Sequence, residues 1–94
     1  MNVHFTPKAL KGIDSISKFI FLSGYPEMAI NFANELYDFG LTLAFFPEKY
    51  PICRFEYFAK RKFHCAVYKD YIFIYQINAE SIIIYNIIHS RLMQ

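Results

Sequence analysis

A chain of 94 residues with 11 Phe, 8 Tyr and 13 Ile against 3 Gly, 4 Pro and no Trp holds one hydrophobic core and no room for a second. That composition excludes a disordered chain, a collagen-like repeat and a Gly/Ser linker, and two cysteines are too few for a disulfide scaffold. The net charge of +2 divides into −1 over residues 1–47 and +3 over residues 48–94, so the basic character belongs to the second half.

The first element is short: Asn2-Val3-His4-Phe5 alternates polar and apolar, and Thr6-Pro7 stops it. Thr6 is a good helix N-cap, and Pro7 falls at the first helical position, where the missing N–H costs nothing. Leu10, Ile13, Ile16 or Ser17, and Ile20 then recur at three- and four-residue steps, which predicts a helix from about Pro7 to Leu22 with that stripe inward. Ser23-Gly24 ends it. A second helix enters at Pro26. Ala29, Phe32, Ala33, Leu36, Gly40 and Leu43 make its stripe, and Pro47 closes it, for a span of roughly 26–45. Two helices joined by so short a turn form an αα-hairpin, which must lie on something to bury its apolar face.

After Pro51 the period changes to two. Phe55, Tyr57 and Ala59 alternate with charged residues as a first candidate strand, and Phe63 to Tyr68 is a second. Lys69-Asp70 reads as a two-residue turn into Tyr71 to Ile77, and Asn78-Ala79-Glu80 as a turn into Ser81 to His89. The last strand is apolar on both faces, which places it inside the sheet with Ile84 in the core. The predicted architecture is α+β: an N-terminal strand, an αα-hairpin, then a three- to four-strand, mostly antiparallel sheet with the helix pair on one face. It forms a single domain over residues 1–94.

No apolar run approaches the roughly 18 residues of a membrane span. His4, Lys8, Lys11 and Asp14 fall where a signal peptide would need its apolar stretch. The expected compartment is the cytoplasm, with no membrane partner and with Cys53 and Cys65 as free thiols. The cysteines lie 12 apart without a CxxC, and His4, His64 and His89 complete no zinc-ligand spacing, so no metal and no cofactor are expected. There is no Gly-rich phosphate loop and no nucleophile elbow.

Three basic features remain. Lys60-Arg61-Lys62 reads either as a contact for phosphates or an acidic protein patch, or as a solvated loop that keeps an apolar chain soluble. Arg54 is isolated, with Glu56 or Glu48 as its expected ion-pair partner. His89 and Arg91, two apart at the end of the last strand, are expected on one face, with the imidazole hydrogen-bonded to a neighbour. The helices carry more aromatic residues than one inner stripe absorbs. Phe45 and Phe46 are expected mostly in the core, whereas Phe19, Phe21 and Phe39 lie off the inner faces. Surplus apolar surface on a small domain points to a protein partner.

The order of these parts resembles the RelE/ParE superfamily, toxins of type II toxin–antitoxin pairs, over nearly the whole chain. The residues that carry the resemblance are Val3 to Leu10, Ala29 and Phe32 behind Pro26, Tyr71 to Ile77, and above all Ile82 to Arg91. The resemblance implies a growth inhibitor in a plasmid-stabilising pair, neutralised by a cognate antitoxin that would cover Phe19, Phe21 and Phe39. Two target classes are implied. RelE-like members cut mRNA on the ribosome without metal; ParE-like members poison DNA gyrase. The nuclease branch carries an arginine where this chain has Ile72 and a lysine where it has Ala66, and a tail tyrosine where this sequence runs out at Gln94. Without the arginine, a developing phosphorane loses its main electrostatic partner. Ile88-His89-Ser90-Arg91 resembles the ending of ParE-like toxins, so gyrase is the expected target, docked through Arg54, Lys60, Arg61, Lys62, His89 and Arg91. If the chain is instead a nuclease, His64, His89 and Arg91 are its catalytic candidates, with ribosome and mRNA as partners. An inactive module that only binds antitoxin is the third reading.

Overall fold

A computed structural model describes residues 1–93; Gln94 lies outside the described residues. The elements run β1 (Asn2–Phe5), α1 (Pro7–Leu22), α2 (Pro26–Thr42), a helical turn α3 (Glu56–Ala59), β2 (His64–Tyr68), β3 (Tyr71–Asn78) and β4 (Ser81–His89), with 3-10 turns at Pro47–Lys49 and Ser90–Met93. The four strands form one sheet in the order β1-β4-β3-β2. β4 is internal, parallel to β1 and antiparallel to β3. Among the described residues no helix is long and apolar enough to cross a membrane.

The Thr6 hydroxyl oxygen accepts from the Ala9 N–H at 3.1 Å and donates to the Tyr85 carbonyl at 2.8 Å. One side chain thus caps α1 and ties it to β4. The free carbonyl exists because the register with β3 slips at Tyr85: Ile74 faces Asn86 while Tyr75 faces Ile84, a bulge that leaves Tyr85 unpaired. α1 lies close against β4. A Cβ at Gly12 would stand 2.9 Å from the Ile87 carbonyl oxygen.

That closeness corrects the expected stripe on α1. The buried residues are Ala9 and Ile13, while Leu10 is 47% exposed, and Gly12 stands where the helix presses on β4. α2 buries Ala29, Leu36 and Gly40 and ends at Thr42, three residues before the expected limit. Phe45 and Phe46 therefore leave the helix and are 75% and 74% exposed rather than core. Pro47 helps to explain this, since the residue before a proline is pushed out of the helical region.

The main core lies between helices and sheet: Phe5, Leu36, Leu43, Phe73, Tyr75, Ile82, Ile84 and Ile87. Each fully buried side chain of this size is worth about 1.5–3 kcal/mol. Ile72 to Tyr75 are buried, with Tyr71, Gln76 and Ile77 half-buried. A second, smaller cluster of Cys53, Phe63, Ile72 and Ile74 sits on the opposite face, with Phe58, Tyr85 and Ile88 against it.

The segment that covers this second face departs most from expectation. Residues 56–59 form a helical turn and not a strand, stabilised where Phe58 meets Phe63 edge-on at 5.7 Å between ring centroids. Cys53 and Cys65 are joined in a disulfide, not free. The chain turns back on itself at residues 52–64, where Ile52 bridges His64, Cys53 N–H donates to the Phe63 carbonyl at 2.9 Å and Cys65 N–H donates to the Pro51 carbonyl at 3.1 Å. This return brings the two Cα atoms to 5.0 Å across a 12-residue separation. Closing a loop of that size removes about 3 kcal/mol of freedom from the unfolded chain.

Gly40 gives a sharp test of the helix–sheet fit. A Cβ there would stand 2.5 Å from the Phe5 ring and 2.9 Å from Ile84 Cδ1. Gly40→Ala should lower stability by about 1–3 kcal/mol through overpacking, whereas Leu10→Ala at an exposed position should stay within about 0.5 kcal/mol. Urea midpoints at constant slope check both.

Candidate functional site

The basic residues of the second half do not converge on one spot. Arg54, Lys60, Arg61 and Lys62 ride on the segment that covers the second face, and all four are exposed. Arg61 is ordered: its Nη1 donates to the Tyr57 carbonyl at 2.7 Å, and its guanidinium lies 3.9 Å from the centre of the Tyr57 ring. Lys60 pairs with Glu56 at 3.2 Å, an exposed i,i+4 pair that contributes little to stability. Lys62 holds φ at 59° and turns the chain into β2. Arg54 has no ion pair among the described residues; Glu56, one of its expected partners, is taken by Lys60.

Lys60, Arg61 and Lys62 sit at the Gln76 end of β3, because Gln76 Nε2 donates to the Arg61 carbonyl at 2.9 Å, whereas Arg54 lines a cavity with Val67 and Ile72, nearer the Tyr71 end. His89 sits at the other end, opposite Tyr71, whose ring it meets edge-on at 5.3 Å. Five residues separate Gln76 and Tyr71, about 16 Å along a strand. β4 ends at His89, so Arg91 belongs to the following 3-10 turn and does not continue the strand face as expected. His89 Nδ1 accepts from the Arg91 N–H at 3.1 Å, and the Ser90 N–H donates to the Asp70 carbonyl at 2.8 Å. These contacts fix the turn against the β2–β3 connection.

His64 belongs to neither group. It pairs with Tyr75 across β2 and β3, its ring stacks on Tyr75 at 5.3 Å, and its Nδ1–H donates to the Tyr50 carbonyl at 2.7 Å. Tyr75 is fully buried and its hydroxyl donates to the Pro47 carbonyl at 2.5 Å. Burial, with Tyr50 nearby, pushes the Tyr75 phenol up to about 12. His64 and His89 are offset by the four residues from Tyr75 to Tyr71, about 13 Å along the strand, so the structure does not bring His64, His89 and Arg91 together.

Exposed apolar side chains gather at the tip of the helix hairpin, near Met1 and Phe45, and beside the disulfide at Ile52, Phe55 and Val67. At the tip of the helix hairpin, Phe19 and Leu22 are each 72% exposed, and Phe21, Tyr25, Met28 and Ile30 are also open. Phe39 does not join them. It is half-buried, stacked on Tyr68 at 4.6 Å and edge-on to Phe73 at 4.9 Å. At the other end of the molecule, Met1, Phe45, Phe46, Pro47, Lys49 and Ile77 surround an open cavity of about 470 Å³. The core placement expected for Phe45 and Phe46 does not hold; Pro47 is the signal that the helix stops before them.

A family model for the ParE toxin of the type II toxin–antitoxin system parDE matches residues 3–92. The chain belongs to the ParE toxin family. No curated protein matches the sequence. A solved structure described as the chromosomal ParDE TA system from P. aeruginosa superimposes with a TM-score of 0.81 at 14% identity, over 95% of this chain and 95% of that one. At that identity the likeness is one of fold: N-terminal strand, helix pair and four-stranded mixed sheet.

Within this ParE-family fold the two positions of interest on β2 and β3 are both internal. Ala66 is fully buried in the main core, and Ile72 is 8% exposed beneath Cys53 and Phe63. The charge that does link the layers is elsewhere: Lys69 Nζ donates to Glu35 Oε2 at 2.8 Å, joining the β2–β3 turn to α2. That contact holds the Glu35 carboxyl below its ordinary range and the Lys69 ammonium above its own.

The raised Tyr75 phenol gives a pH prediction. An unfolded tyrosine ionises near 10, so above that pH the unfolded chain has shed a proton that the folded chain keeps. Stability from this group is complete below pH 10 and is lost as pH rises towards about 12. Tyr75→Phe should flatten stability against pH between those limits. It should also cost about 1–3 kcal/mol at neutral pH by leaving the Pro47 carbonyl unpaired. Denaturant titrations at stepped pH check both.

Proposed function

We propose that this toxin arrests growth by poisoning DNA gyrase, breaks no bond itself, and is neutralised in the cytoplasm by a cognate antitoxin, as one half of a plasmid-stabilising pair. The observation that carries the reading is the burial of Ile72 and Ala66. The places where a nuclease would present an arginine and a lysine to a scissile phosphate are filled by apolar side chains facing protein, with nothing to stabilise a transition-state charge. The 13 Å offset of His64 from His89 along the strand argues the same way.

The exposed cations then serve docking. Lys60, Arg61 and Lys62 lie at one end of the sheet, His89 and Arg91 at the other, and Arg54 on the covered face beside Val67 and Ile72. An extended protein–DNA surface meets such a spread arrangement better than a single phosphate does. The antitoxin covers the hairpin tip at Phe19 and Phe21 by folding an apolar segment onto it. Phe39, packed inward on Phe73, contributes to that surface only through the helix it steadies.

Gyrase supercoiling and cleavage-complex assays, run beside primer extension on translated mRNA, test the reading. The expected result is gyrase inhibition with intact mRNA. Cuts inside ribosome-bound codons with gyrase unaffected would overturn it and promote His64, His89 and Arg91 to catalytic candidates. Inactivity in both assays would leave an antitoxin-binding module. Replacing Lys60, Arg61 and Lys62 with Glu should weaken gyrase inhibition by roughly ten-fold or more, and Arg91→Ala by less, with steep salt dependence in the wild type. Phe19→Ser with Phe21→Ser should weaken antitoxin binding by roughly ten-fold or more while toxicity persists.

A further inference from the structure

The Cys53–Cys65 disulfide lies on the sheet face away from the helices, in surroundings suited to exchange. Cys53 is 3% exposed, whereas Cys65 is half-buried on the edge strand β2. Both residues line an open cavity of about 420 Å³ shared with Arg54, Ile52 and Val67, so a small thiol has a route to the bond that leaves the sheet intact. Arg54 has no ion pair among the described residues. A guanidinium that is not neutralised favours the thiolate of a neighbouring cysteine, which is the reactive form.

The segment closed by this bond has few other attachments. Two backbone hydrogen bonds hold its neck, at Cys53–Phe63 and Cys65–Pro51, and one from Gln76 holds the Arg61 carbonyl. Phe58 and Phe63 pack against the sheet, but every residue from Arg54 to Tyr57 and from Lys60 to Lys62 is exposed. Segments with so little buried area and so few protected hydrogen bonds open locally long before the whole fold does.

We infer that Cys53–Cys65 is a thiol-exchange site that fixes residues 54–62 on the sheet when closed and frees them when open. In the opening direction a thiolate attacks Cys65 Sγ, the S–S bond breaks, and Cys53 leaves as a thiolate that takes up a proton. A second thiol then displaces Cys65 from the mixed disulfide. The protein gains two electrons and two protons, and the reductant, two monothiols or one dithiol, leaves as a disulfide. An oxidised low-molecular-weight disulfide runs the same steps in reverse. The consequence for gyrase rests on the reading proposed above: the closed form presents Arg54 and Lys60 to Lys62 in a fixed array, and the open form does not.

Trypsin is a direct probe, because Arg54, Lys60, Arg61 and Lys62 are its cleavage sites. Limited proteolysis and amide exchange of the full chain, with and without a dithiol, should show cleavage within 54–62 rising roughly ten-fold or more on reduction while β4 amides stay protected. Maleimide labelling should count two new thiols. A chain carrying Cys53→Ser and Cys65→Ser should be cleaved fast in both conditions. Equal cleavage in the oxidised and reduced wild type would overturn the inference, as would loss of β4 protection together with the segment. These readouts need no gyrase. A segment that loosens as expected in a chain that never inhibits gyrase leaves the exchange site standing and removes only the target reading.

Discussion

β4 is apolar on both faces, and that property constrains everything around it. A strand of this kind needs a neighbour at each edge and a cover on each side, or it becomes an aggregation template. β1 and β3 supply the edges. The helix pair covers Ile82, Ile84 and Ile87. The other side, with Tyr85 and Ile88, is covered by the segment that carries the helical turn and both cysteines of the disulfide, one at each end. The bulge at Tyr85 belongs to the same solution, since it releases the carbonyl on which Thr6 anchors α1.

The helix side shows how close packing redistributes large side chains. Where α1 passes β4 at Gly12 and α2 passes Phe5 and Ile84 at Gly40, there is no room for a methyl group. The buried helix positions are consequently small or medium: Ala9, Ile13, Ala29, Leu36 and Gly40. Phe19, Phe21, Leu22 and Met28 are left outside. The exposed apolar tip thus follows from how tightly the rest of the hairpin sits, and clustered exposed apolar side chains of this kind mark partner sites.

Much of this was legible from local signals. Thr6-Pro7 and Pro26 mark helix starts through the chemistry of a cap and a missing N–H. Period-two patterning found β2 to β4, and the two-sided apolar pattern of the last strand placed it inside the sheet. The misses fall where contacts, and not periodicity, decide the local structure. Leu10 falls on the three- and four-residue stripe and is expected inward, yet Ala9 is the residue buried and Leu10 stays 47% exposed. Phe55 to Ala59 alternates like a strand, yet Phe63 draws Phe58 into a helical turn. Cys53 and Cys65 carry no framework spacing, and only the return of the chain at Ile52 brings them together. The site was half legible for the same reason. The basic residues and the missing arginine are visible in the sequence, but how far apart Lys60 to Lys62, Arg54 and His89 fall along the sheet is a matter of register.

Register also explains why the missing arginine and the second cover go together. Ile72 faces Ile88 across the β3–β4 ladder and points to the side where Cys53 and Phe63 press down. An arginine at 72 would place an unpaired guanidinium in an apolar pocket, at a cost of several kcal/mol. It would be tolerated only if the segment lifted away and let water or a phosphate in. Holding residues 54–62 against the sheet and giving up a substrate-facing cation at 72 are therefore two statements of one packing choice. Arg54 and Lys60 to Lys62 stand exposed on the outside of the cover, where a large charged surface can reach them and a single scissile phosphate would find no converging set.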